Sequence, residues 1–292
     1  MDSIKELLIT GQDTLKKKGI PSYNLDAEVL LAQAIGHPRE FLYTYPREPV
    51  EKRVKNKFLK FLERRSQGEP LAYILGYKEF YGMDFLVGKE VLVPRPETES
   101  LVREAMISAP KKGNFNVWDI GTGSGCIAIT LAKILDEELC LNKVFALDIS
   151  KKALNKASKN AQKHKVKKLK LIKSDILDHF LKNKNKYKNI FKELNIIVAN
   201  LPYLTEEQYK GSPSIQYEPR KALVASEGGL KCYRRLLEQI RKIPDLKFIL
   251  ILEIDPGQVS EMKKIINKNL PESEIEIKKD FSNQDRLIKV SS

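Results

Sequence analysis

The 292-residue sequence is poor in the residues that form disulfides or hold metals, with three cysteines and three histidines. Cys126, Cys140 and Cys232 are far apart, form no Cys-x-x-Cys pair and show no spacing typical of a zinc site. This scarcity excludes a disulfide framework and indicates a compartment in which thiols stay reduced, for which the cytoplasm is the default. We therefore expect a cytoplasmic protein without a metal centre.

Long apolar runs are also lacking. The longest fall far short of the roughly 20 residues that a helix needs to span a membrane. Residues 1–6 do not begin with a basic stretch followed by an apolar one, as a secretory signal does. Because hydrophobic residues make up 42% and charged residues 31% of the chain, we expect a globular protein without a membrane partner.

Arginine is scarce relative to lysine, although the formal net charge is +14. Of the 52 basic residues only 12 are arginines, and arginine is the side chain suited to bidentate recognition of bases and phosphates. The lysines are spread along most of the chain, without a nucleic-acid recognition motif. The charge therefore favours a weak general attraction to ribosomes or RNA over a dedicated nucleic-acid surface.

Hydrophobic periodicity divides the chain into three parts. Residues 1–72 show amphipathic helical patterns interrupted by glycine and proline, which predicts a helical-bundle domain. Residues 73–94 alternate with a period near two, which predicts a β-hairpin linker. In residues 95–292 apolar strands alternate with amphipathic helices, which predicts an α/β domain with a doubly wound, mostly parallel, seven-stranded sheet ending in an antiparallel pair. The Lys/Asn-rich segment 182–189 is predicted to be a solvated loop.

A strand, a glycine-rich turn and a helix are predicted around Asp119-Ile120-Gly121-Thr122-Gly123-Ser124-Gly125. The glycines allow the backbone to approach a ligand at a helix N-terminus. The third glycine comes one residue too early for the dinucleotide fingerprint Gly-x-Gly-x-x-Gly. Asp119 would repel a pyrophosphate but suits a ligand with positive charge and no phosphate, such as S-adenosylmethionine.

Acidic residues follow the next two predicted strands. Asp148 can accept hydrogen bonds from both hydroxyls of a ribose, and Asp175 can accept the amino group of an adenine. Each position alone could instead mark a helix N-cap, as Ser150 could. Because the carboxyl ends of parallel strands share one edge of a sheet, we expect these groups, the glycine turn and Asn200 to converge on one S-adenosylmethionine site.

The tetrapeptide Asn200-Leu201-Pro202-Tyr203 directly follows the apolar run 196–199. An asparagine side chain can both donate and accept hydrogen bonds, and Pro202 favours an extended Leu201 whose carbonyl points outward. Tyr203 can cover a flat group. The tetrapeptide predicts a slot for a planar, nitrogen-bearing substrate, with an ordinary turn after a strand as the alternative.

Five stretches of the sequence together resemble the HemK/PrmC family of release-factor glutamine methyltransferases, which are class I methyltransferases. These stretches are residues 68–76, 91–99, 119–125, 200–203 and 217–223. The most specific is Pro94-Arg95-Pro96-Glu97-Thr98-Glu99, because general methyltransferases lack it. The resemblance implies a class I methyltransferase sheet, an N-terminal domain that docks the protein substrate, and a pocket shaped in part by residues 217–220.

The resemblance also implies roles for individual residues. Those implied to bind S-adenosylmethionine are Asp119, Gly121, Thr122, Gly123, Ser124, Gly125, Asp148, Asp175, Ile176 and Asn200. Asn200, Leu201, Pro202 and Tyr203 are implied to be the catalytic residues that grip the side-chain amide of a glutamine. In that family the glutamine belongs to the Gly-Gly-Gln motif of class 1 peptide chain release factors. Its N5 nitrogen receives the methyl group, and S-adenosylhomocysteine is the product.

Leu201 departs from the pattern of that family, which usually has Asn-Pro-Pro-Tyr. Asn-Leu-Pro-Tyr is usual in ribosomal RNA adenine dimethyltransferases, so the alternative function is N6-adenine methylation of ribosomal RNA or DNA, with Tyr203 stacking on a flipped base. A leucine supplies the same backbone carbonyl as a proline but a less rigid loop. The motifs outside the tetrapeptide favour the glutamine acceptor. A binding module without activity is disfavoured, because a cofactor motif and a substrate loop are both present.

Overall fold

The computed structural model describes residues 2–138, 140–280 and 282–292. The chain divides into two compact units. The smaller unit comprises Met1–Tyr77 and Pro213–Tyr217, and the larger comprises Lys78–Ser212 and Glu218–Ser292. No helix among the described residues combines the length and apolar character that crossing a membrane requires.

The smaller unit is the predicted helical bundle. Its helices are α1 (Ile4–Lys17), α2 (Tyr23–Ile35), α3 (Arg39–Thr44), α4 (Lys52–Ser66) and α5 (Leu71–Leu75). The core contains Leu15, Leu30 and Phe58, none of which is exposed. Gly11 lets α1 approach α4 closely, because a Cβ atom there would lie 2.7 Å from the Phe58 ring. The bundle is thus held by the apolar faces that its sequence periodicity predicts.

The larger unit alternates strands and helices. Its helices are α6 (Glu99–Ser108), α7 (Cys126–Glu138), α8 (Lys151–Lys163), α9 (Asp178–Lys182), α10 (Lys184–Lys192), α11 (Glu206–Lys210), α12 (Lys231–Arg241) and α13 (Val259–Asn269). A two-stranded hairpin consists of β1 (Tyr77–Phe80) and β2 (Met83–Leu86). The main sheet consists of β3 (Phe115–Ile120), β4 (Leu141–Asp148), β5 (Leu169–Lys173), β6 (Leu194–Ala199), β7 (Phe248–Glu253), β8 (Glu274–Lys279) and β9 (Asp285–Ser291).

The strand order in the main sheet is β5-β4-β3-β6-β7-β9-β8. The strands from β5 to β7 are parallel to their neighbours, and β9 is antiparallel to both β7 and β8. This confirms the predicted doubly wound sheet and its antiparallel end. The order reverses at β3, which has β4 on one side and β6 on the other, and such a switch point is where ligands bind in open α/β sheets.

Apolar clusters cover both faces of the sheet. Val117 and Trp118, adjacent on β3, contribute to opposite clusters because successive strand residues point to opposite faces. The Trp118 ring stacks on Phe180 with their centroids 4.1 Å apart. Asn160 on α8 ties the hairpin to the sheet domain, since its side chain hydrogen-bonds both the N–H and the carbonyl of Leu86.

The predicted solvated loop at residues 182–189 is wrong. Most of it lies in α9 and α10, and Tyr187 and Phe191 on α10 are 3% exposed. These two rings are four residues apart and therefore share one helical face. Lysines and asparagines occupy the remaining faces, so the polar composition hides an amphipathic helix.

Candidate active site

The glycine-rich turn leaves the C-terminal end of β3, at the switch point of the sheet. The backbone N–H groups of Gly121 and Thr122 donate to the carbonyl of Leu147 over 2.8 and 2.9 Å. Gly123 has φ +55° and lines a cavity, and a Cβ atom there would meet nothing closer than 3.9 Å. The bare backbone of Gly123 therefore gives a ligand room to approach.

Asp119 stabilises this turn through hydrogen bonds and does not line the cavity. It is fully buried, and its Oδ2 atom accepts hydrogen bonds from the Thr122 hydroxyl (2.6 Å) and the Ala128 N–H (3.2 Å). Its Oδ1 atom has no hydrogen-bond partner among the described residues. Burial raises the pKa of Asp119 to about 7. Asp119 and Thr122 thus shape the loop.

Ser124 and Gly125 also support the turn from outside the cavity. The Ser124 carbonyl accepts a hydrogen bond from the Asn160 side chain over 2.8 Å. A Cβ atom at Gly125 would lie 2.9 Å from the Ile129 side chain and 3.1 Å from that of Ala157. Gly125 therefore permits the close packing of α7 on α8, and its role in the structure is packing.

Asp148, at the end of β4, faces the cavity beside the glycine turn. Its carboxylate oxygens accept hydrogen bonds from the N–H groups of Gly123 (2.9 Å) and Ser150 (2.8 Å). Burial raises the pKa of Asp148, and these two backbone hydrogen bonds oppose the rise. Ser150 caps α8 by accepting the Ala153 N–H over 3.2 Å, so the capping role belongs to Ser150 and Asp148 keeps lone pairs for a ligand.

The cavity has a volume of about 470 Å³. Of the predicted site residues, its wall contains Gly121, Gly123, Asp148, Asp175, Ile176, Asn200, Leu201 and Pro202. Asp119, Thr122, Ser124, Gly125 and Tyr203 are not on this wall. Pro219 and the 3₁₀ turn Arg220–Ala222 that follows it also line the cavity. The predicted strand ends therefore converge on one cavity.

The corner after β5 carries an ion pair that the sequence does not predict. Asp175 accepts a hydrogen bond from Arg235 on α12 over 2.9 Å, and both side chains are 38% exposed. Ile176 has φ +52°, a left-handed conformation that is unusual for a β-branched residue and typical of strained functional positions. Cys232, one turn before Arg235, also lines the cavity. No sequence signal marks these two α12 residues.

Asn200 is held by a residue of the Pro-Arg-Pro-Glu-Thr-Glu stretch. Its Nδ2 atom donates a hydrogen bond to the Thr98 hydroxyl over 3.0 Å, and Thr98 is 3% exposed. In the sequence, Thr98 is marked only as part of this stretch. The contact links this stretch to the tetrapeptide that starts at Asn200.

Leu201 is buried and its carbonyl is fixed. The side chain is packed against the glycine turn, since a Cβ atom at Gly121 would lie 3.1 Å from Leu201 Cδ2. The Leu201 carbonyl oxygen is 3.1 Å from the hydroxyl of Tyr233, which also hydrogen-bonds the Glu253 carbonyl. Because a carbonyl has two lone pairs, the Leu201 oxygen can accept a further hydrogen bond.

Tyr203 is positioned through its backbone. Its carbonyl accepts a hydrogen bond from the Gln258 side chain over 2.8 Å, and the next residue, Leu204, donates its N–H to the Leu223 carbonyl over 2.9 Å. Burial raises the pKa of the Tyr203 phenol to about 12, so the ring is neutral near pH 7. The sequence does not reveal Gln258, which is 55 residues away.

A buried carboxylate joins two of the recognised sequence stretches. Glu218 accepts a hydrogen bond from the Val93 N–H over 2.9 Å and forms an ion pair with Arg95. The Glu218 side chain is 1% exposed, so both interactions act in a poorly solvated setting. Glu218 thus fixes the segment that leads to Thr98. Among the described residues, no group of three or more His, Cys, Asp or Glu side chains could hold a metal ion.

Comparison with known proteins gives two matching family models. A PrmC N-terminal domain matches residues 6–76, and a methyltransferase domain matches residues 111–243. The chain is similar to proteins named release factor glutamine methyltransferase. It is 33% identical to that of Bacillus cereus, covering 89% of this chain and 90% of that protein. It is 36% identical to that of Bacillus subtilis (90% and 89%) and 34% identical to that of Rhodopirellula baltica (98% and 95%).

Solved structures show the same fold at low sequence identity. The crystal structure of the hMettl16 catalytic domain in complex with MAT2A 3′UTR hairpin 6 matches with a TM-score of 0.53 and 17% identity. The match covers 80% of this chain and 81% of that chain. At this identity the likeness concerns the fold of the methyltransferase sheet alone.

Proposed function

Because the chain belongs to the release factor glutamine methyltransferase family, we propose that it methylates the side-chain amide of a release-factor glutamine. The observation that carries this proposal is the similarity of 33–36% identity over about nine-tenths of both chains. The acceptor we propose is N5 of the glutamine in the Gly-Gly-Gln motif of class 1 peptide chain release factors. The chain is accordingly a methyltransferase enzyme that uses S-adenosylmethionine.

The residues on the cavity wall fit S-adenosylmethionine. The two carboxylate oxygens of Asp148 each retain a lone pair for the ribose hydroxyls after accepting a backbone N–H. The open backbone of Gly123 gives room for the amino-acid part, and the Asp175–Ile176 corner would hold the adenine. When bound, the cofactor supplies an activated methyl group on a positively charged sulfur.

The acceptor amide would be held by the substrate tetrapeptide. The Asn200 side-chain oxygen and the Leu201 carbonyl would each accept one N–H of the glutamine amide, which fixes its nitrogen toward the cavity. An amide nitrogen is a poor nucleophile, and such positioning can supply roughly 7–11 kcal/mol of barrier reduction in favourable cases. The two oxygens also stabilise positive charge that develops on the nitrogen. Tyr203, a neutral phenol near pH 7, would cover the flat amide and exclude water.

The adenine alternative is not favoured, because the similar curated proteins quoted above are named for a glutamine acceptor. Leu201 is compatible with the glutamine acceptor, since its side chain packs against Gly121 and its carbonyl oxygen keeps one lone pair besides the hydrogen bond from Tyr233. Docking of the release factor on the helical unit, attraction of the lysine-rich surface to ribosomes, and a cytoplasmic location remain parts of the proposal.

Incubation with methyl-labelled S-adenosylmethionine and two acceptors tests the proposed function. The acceptors are a class 1 release factor and ribosomal RNA, offered separately. We expect label in the release factor, and none in a release-factor variant in which the glutamine of Gly-Gly-Gln is replaced. Label in the RNA alone would overturn the glutamine assignment in favour of the adenine one.

A further inference from the structure

The Leu201 carbonyl can hold the acceptor amide only if it points in one direction. β6 pairs with both neighbouring strands up to Ala199, so this carbonyl lies beyond the ladder of the sheet. Pro202 confines Leu201 to an extended backbone with ψ of about +120 to +160°. Within that range the carbonyl can still turn, and a hydrogen bond weakens steeply when its angle departs from linear. A further group is needed to set its direction.

The phenol of Tyr233 on α12 is such a group. Its O–H donates to the Leu201 carbonyl over 3.1 Å and also to the carbonyl of Glu253, the last residue of β7. Because β6 and β7 are parallel neighbours in which Ala199 pairs with Leu252, the phenol bridges the ends of two adjacent strands. The direction of the Leu201 carbonyl is thereby tied to the sheet.

Burial holds Tyr233 in place. Tyr233 is 0% exposed and belongs to the same apolar cluster as Leu201 and Leu252. A buried phenol needs a hydrogen-bond partner, and the Glu253 carbonyl alone would supply it, because a phenol has a single proton. The contact with Leu201 is therefore not required for burying Tyr233. Burial also raises the pKa of Tyr233 well above its ordinary value of 10.0, so the phenol keeps its proton at neutral pH.

We propose that Tyr233 is a positioning residue for methyl transfer, which holds the Leu201 carbonyl toward the amide N–H of the acceptor. This inference rests on the proposed function, because it assumes an acceptor whose N–H groups must be bound. Tyr233 is not on the cavity wall and does not touch the reacting atoms. Its effect is exerted through Leu201, so it concerns the rate of methyl transfer and not the binding of the cofactor.

The experiment compares two buried tyrosines of the full chain. Tyr233→Phe removes the hydroxyl that faces Leu201. Tyr187→Phe removes a hydroxyl on α10 that lies 3.0 Å from His179, and Tyr187 is 3% exposed and not on the cavity wall. We expect Tyr233→Phe to lower kcat by about 10- to 100-fold, the effect of a small misplacement, with the Kd for S-adenosylmethionine unchanged. Tyr187→Phe should keep the wild-type kcat.

A loss of stability is separated from a loss of positioning by expressing kcat per cofactor-binding site. Calorimetry counts these sites, and unfolded chains drop out of the count because they bind no cofactor. Tyr233→4-aminophenylalanine restores a hydrogen-bond donor on the same ring and should recover most of the wild-type kcat. Wild-type kcat per site in Tyr233→Phe would overturn the inference, as would equal loss in Tyr233→Phe and Tyr233→4-aminophenylalanine.

A carbonyl signal keeps the inference testable if Tyr233→Phe does not fold. The chain has two Leu–Pro bonds, 201–202 and 270–271, so labelling with carbonyl-¹³C leucine and ¹⁵N proline selects two carbonyl signals in NMR spectra. Exchange of the O–H donor for an N–H donor in Tyr233→4-aminophenylalanine should shift the Leu201 signal and leave the Leu270 signal in place. An unmoved Leu201 signal would overturn the inference.

Failure of the proposed function is distinguishable from failure of this inference. Each kcat is measured on the acceptor that the wild-type chain labels. Label in ribosomal RNA instead of the release factor would refute the proposed function. An adenine amino group also carries N–H donors, so the ratio of variant to wild type on that acceptor still decides the role of Tyr233.

Discussion

Gly229 packs so closely against Tyr203 that a Cβ atom at Gly229 would lie 1.9 Å from the Tyr203 carbonyl oxygen. The same carbonyl accepts the hydrogen bond from Gln258. Gly229 also has φ +88°, a conformation that favours glycine. The tetrapeptide 200–203 is thus held at its outer end by a contact that leaves no space for a side chain.

Gly229→Ala should therefore displace Tyr203 and impair methyl transfer strongly. Gly228→Ala is the matched control, because Gly228 also has a positive φ (+64°) but a Cβ atom there would meet nothing within 4 Å. Both substitutions incur a backbone cost of about 1–2 kcal/mol, which thermal unfolding measures. Both variants should lose stability, but only Gly229→Ala should also lose methyl-transfer activity. Equal activity of the two variants would contradict the account.

Asp148→Asn should weaken cofactor binding. An asparagine can accept only one of the two backbone N–H groups, from Gly123 or Ser150, because its NH₂ group faces the other. The asparagine NH₂ group also cannot accept a hydrogen bond from a ribose hydroxyl, and a hydrogen bond to a charged group contributes about 1.5–3 kcal/mol, so the Kd for S-adenosylmethionine should rise by about 10- to 100-fold. Calorimetry measures this, with Asp136→Asn at an exposed ion pair as the control. An unchanged Kd would remove Asp148 from the cofactor site.

Leu201→Pro should leave the acceptor unchanged, because the backbone carbonyl that would hold the amide is retained. Leu201→Ala keeps the carbonyl but loses the buried side chain, and a Leu→Ala change in a core costs about 2–5 kcal/mol. Both variants are assayed with the release factor and with ribosomal RNA, and their stabilities by denaturant unfolding. A switch from RNA to release factor in Leu201→Pro would show that Leu201 selects the acceptor.

Asp119→Asn should change how stability depends on pH. The pKa of Asp119 is raised from 3.8 to about 7 in the folded chain, so the unfolded chain releases this proton at lower pH than the folded chain does. The contribution of Asp119 to stability is therefore full below about pH 4 and decreases up to about pH 7. Asparagine can still accept from Thr122. The free energy of unfolding of the variant minus that of the wild type should therefore increase from about pH 5 to about pH 7. A difference that stays constant with pH would contradict this prediction.

The end-of-strand residues could be predicted from sequence because alternation fixes a parallel sheet and a parallel sheet gathers its strand ends. Asp148 and Asn200 follow directly from that logic, and both lie on the cavity wall. This reasoning does not show which side chains at the edge of the sheet line the cavity. Asp119 shows this, since its carboxylate turns beneath the glycine loop to bind Thr122 and the Ala128 N–H.

Long-range contacts between loops were not predictable from a single chain. Thr98 and Asn200 are 102 residues apart, and neither local propensity nor periodicity connects them. Arg235 reaches Asp175 from a helix whose amphipathic pattern marks only its buried face. The loop predicted for residues 182–189 was wrong for another reason. The many lysines and asparagines of this segment indicate a loop, although two rings on α10 are buried.

The proposed chemistry is methyl transfer to an amide nitrogen held by Asn200. The most direct test is tandem mass spectrometry of the Gly-Gly-Gln peptide from a release factor incubated with S-adenosylmethionine and either the wild-type chain or Asn200→Ala. We expect one methyl group on the glutamine side chain with the wild-type chain and none with the variant, whose cofactor affinity stays nearly intact. An unmodified glutamine with the wild-type chain, or full methylation by Asn200→Ala, would contradict the account.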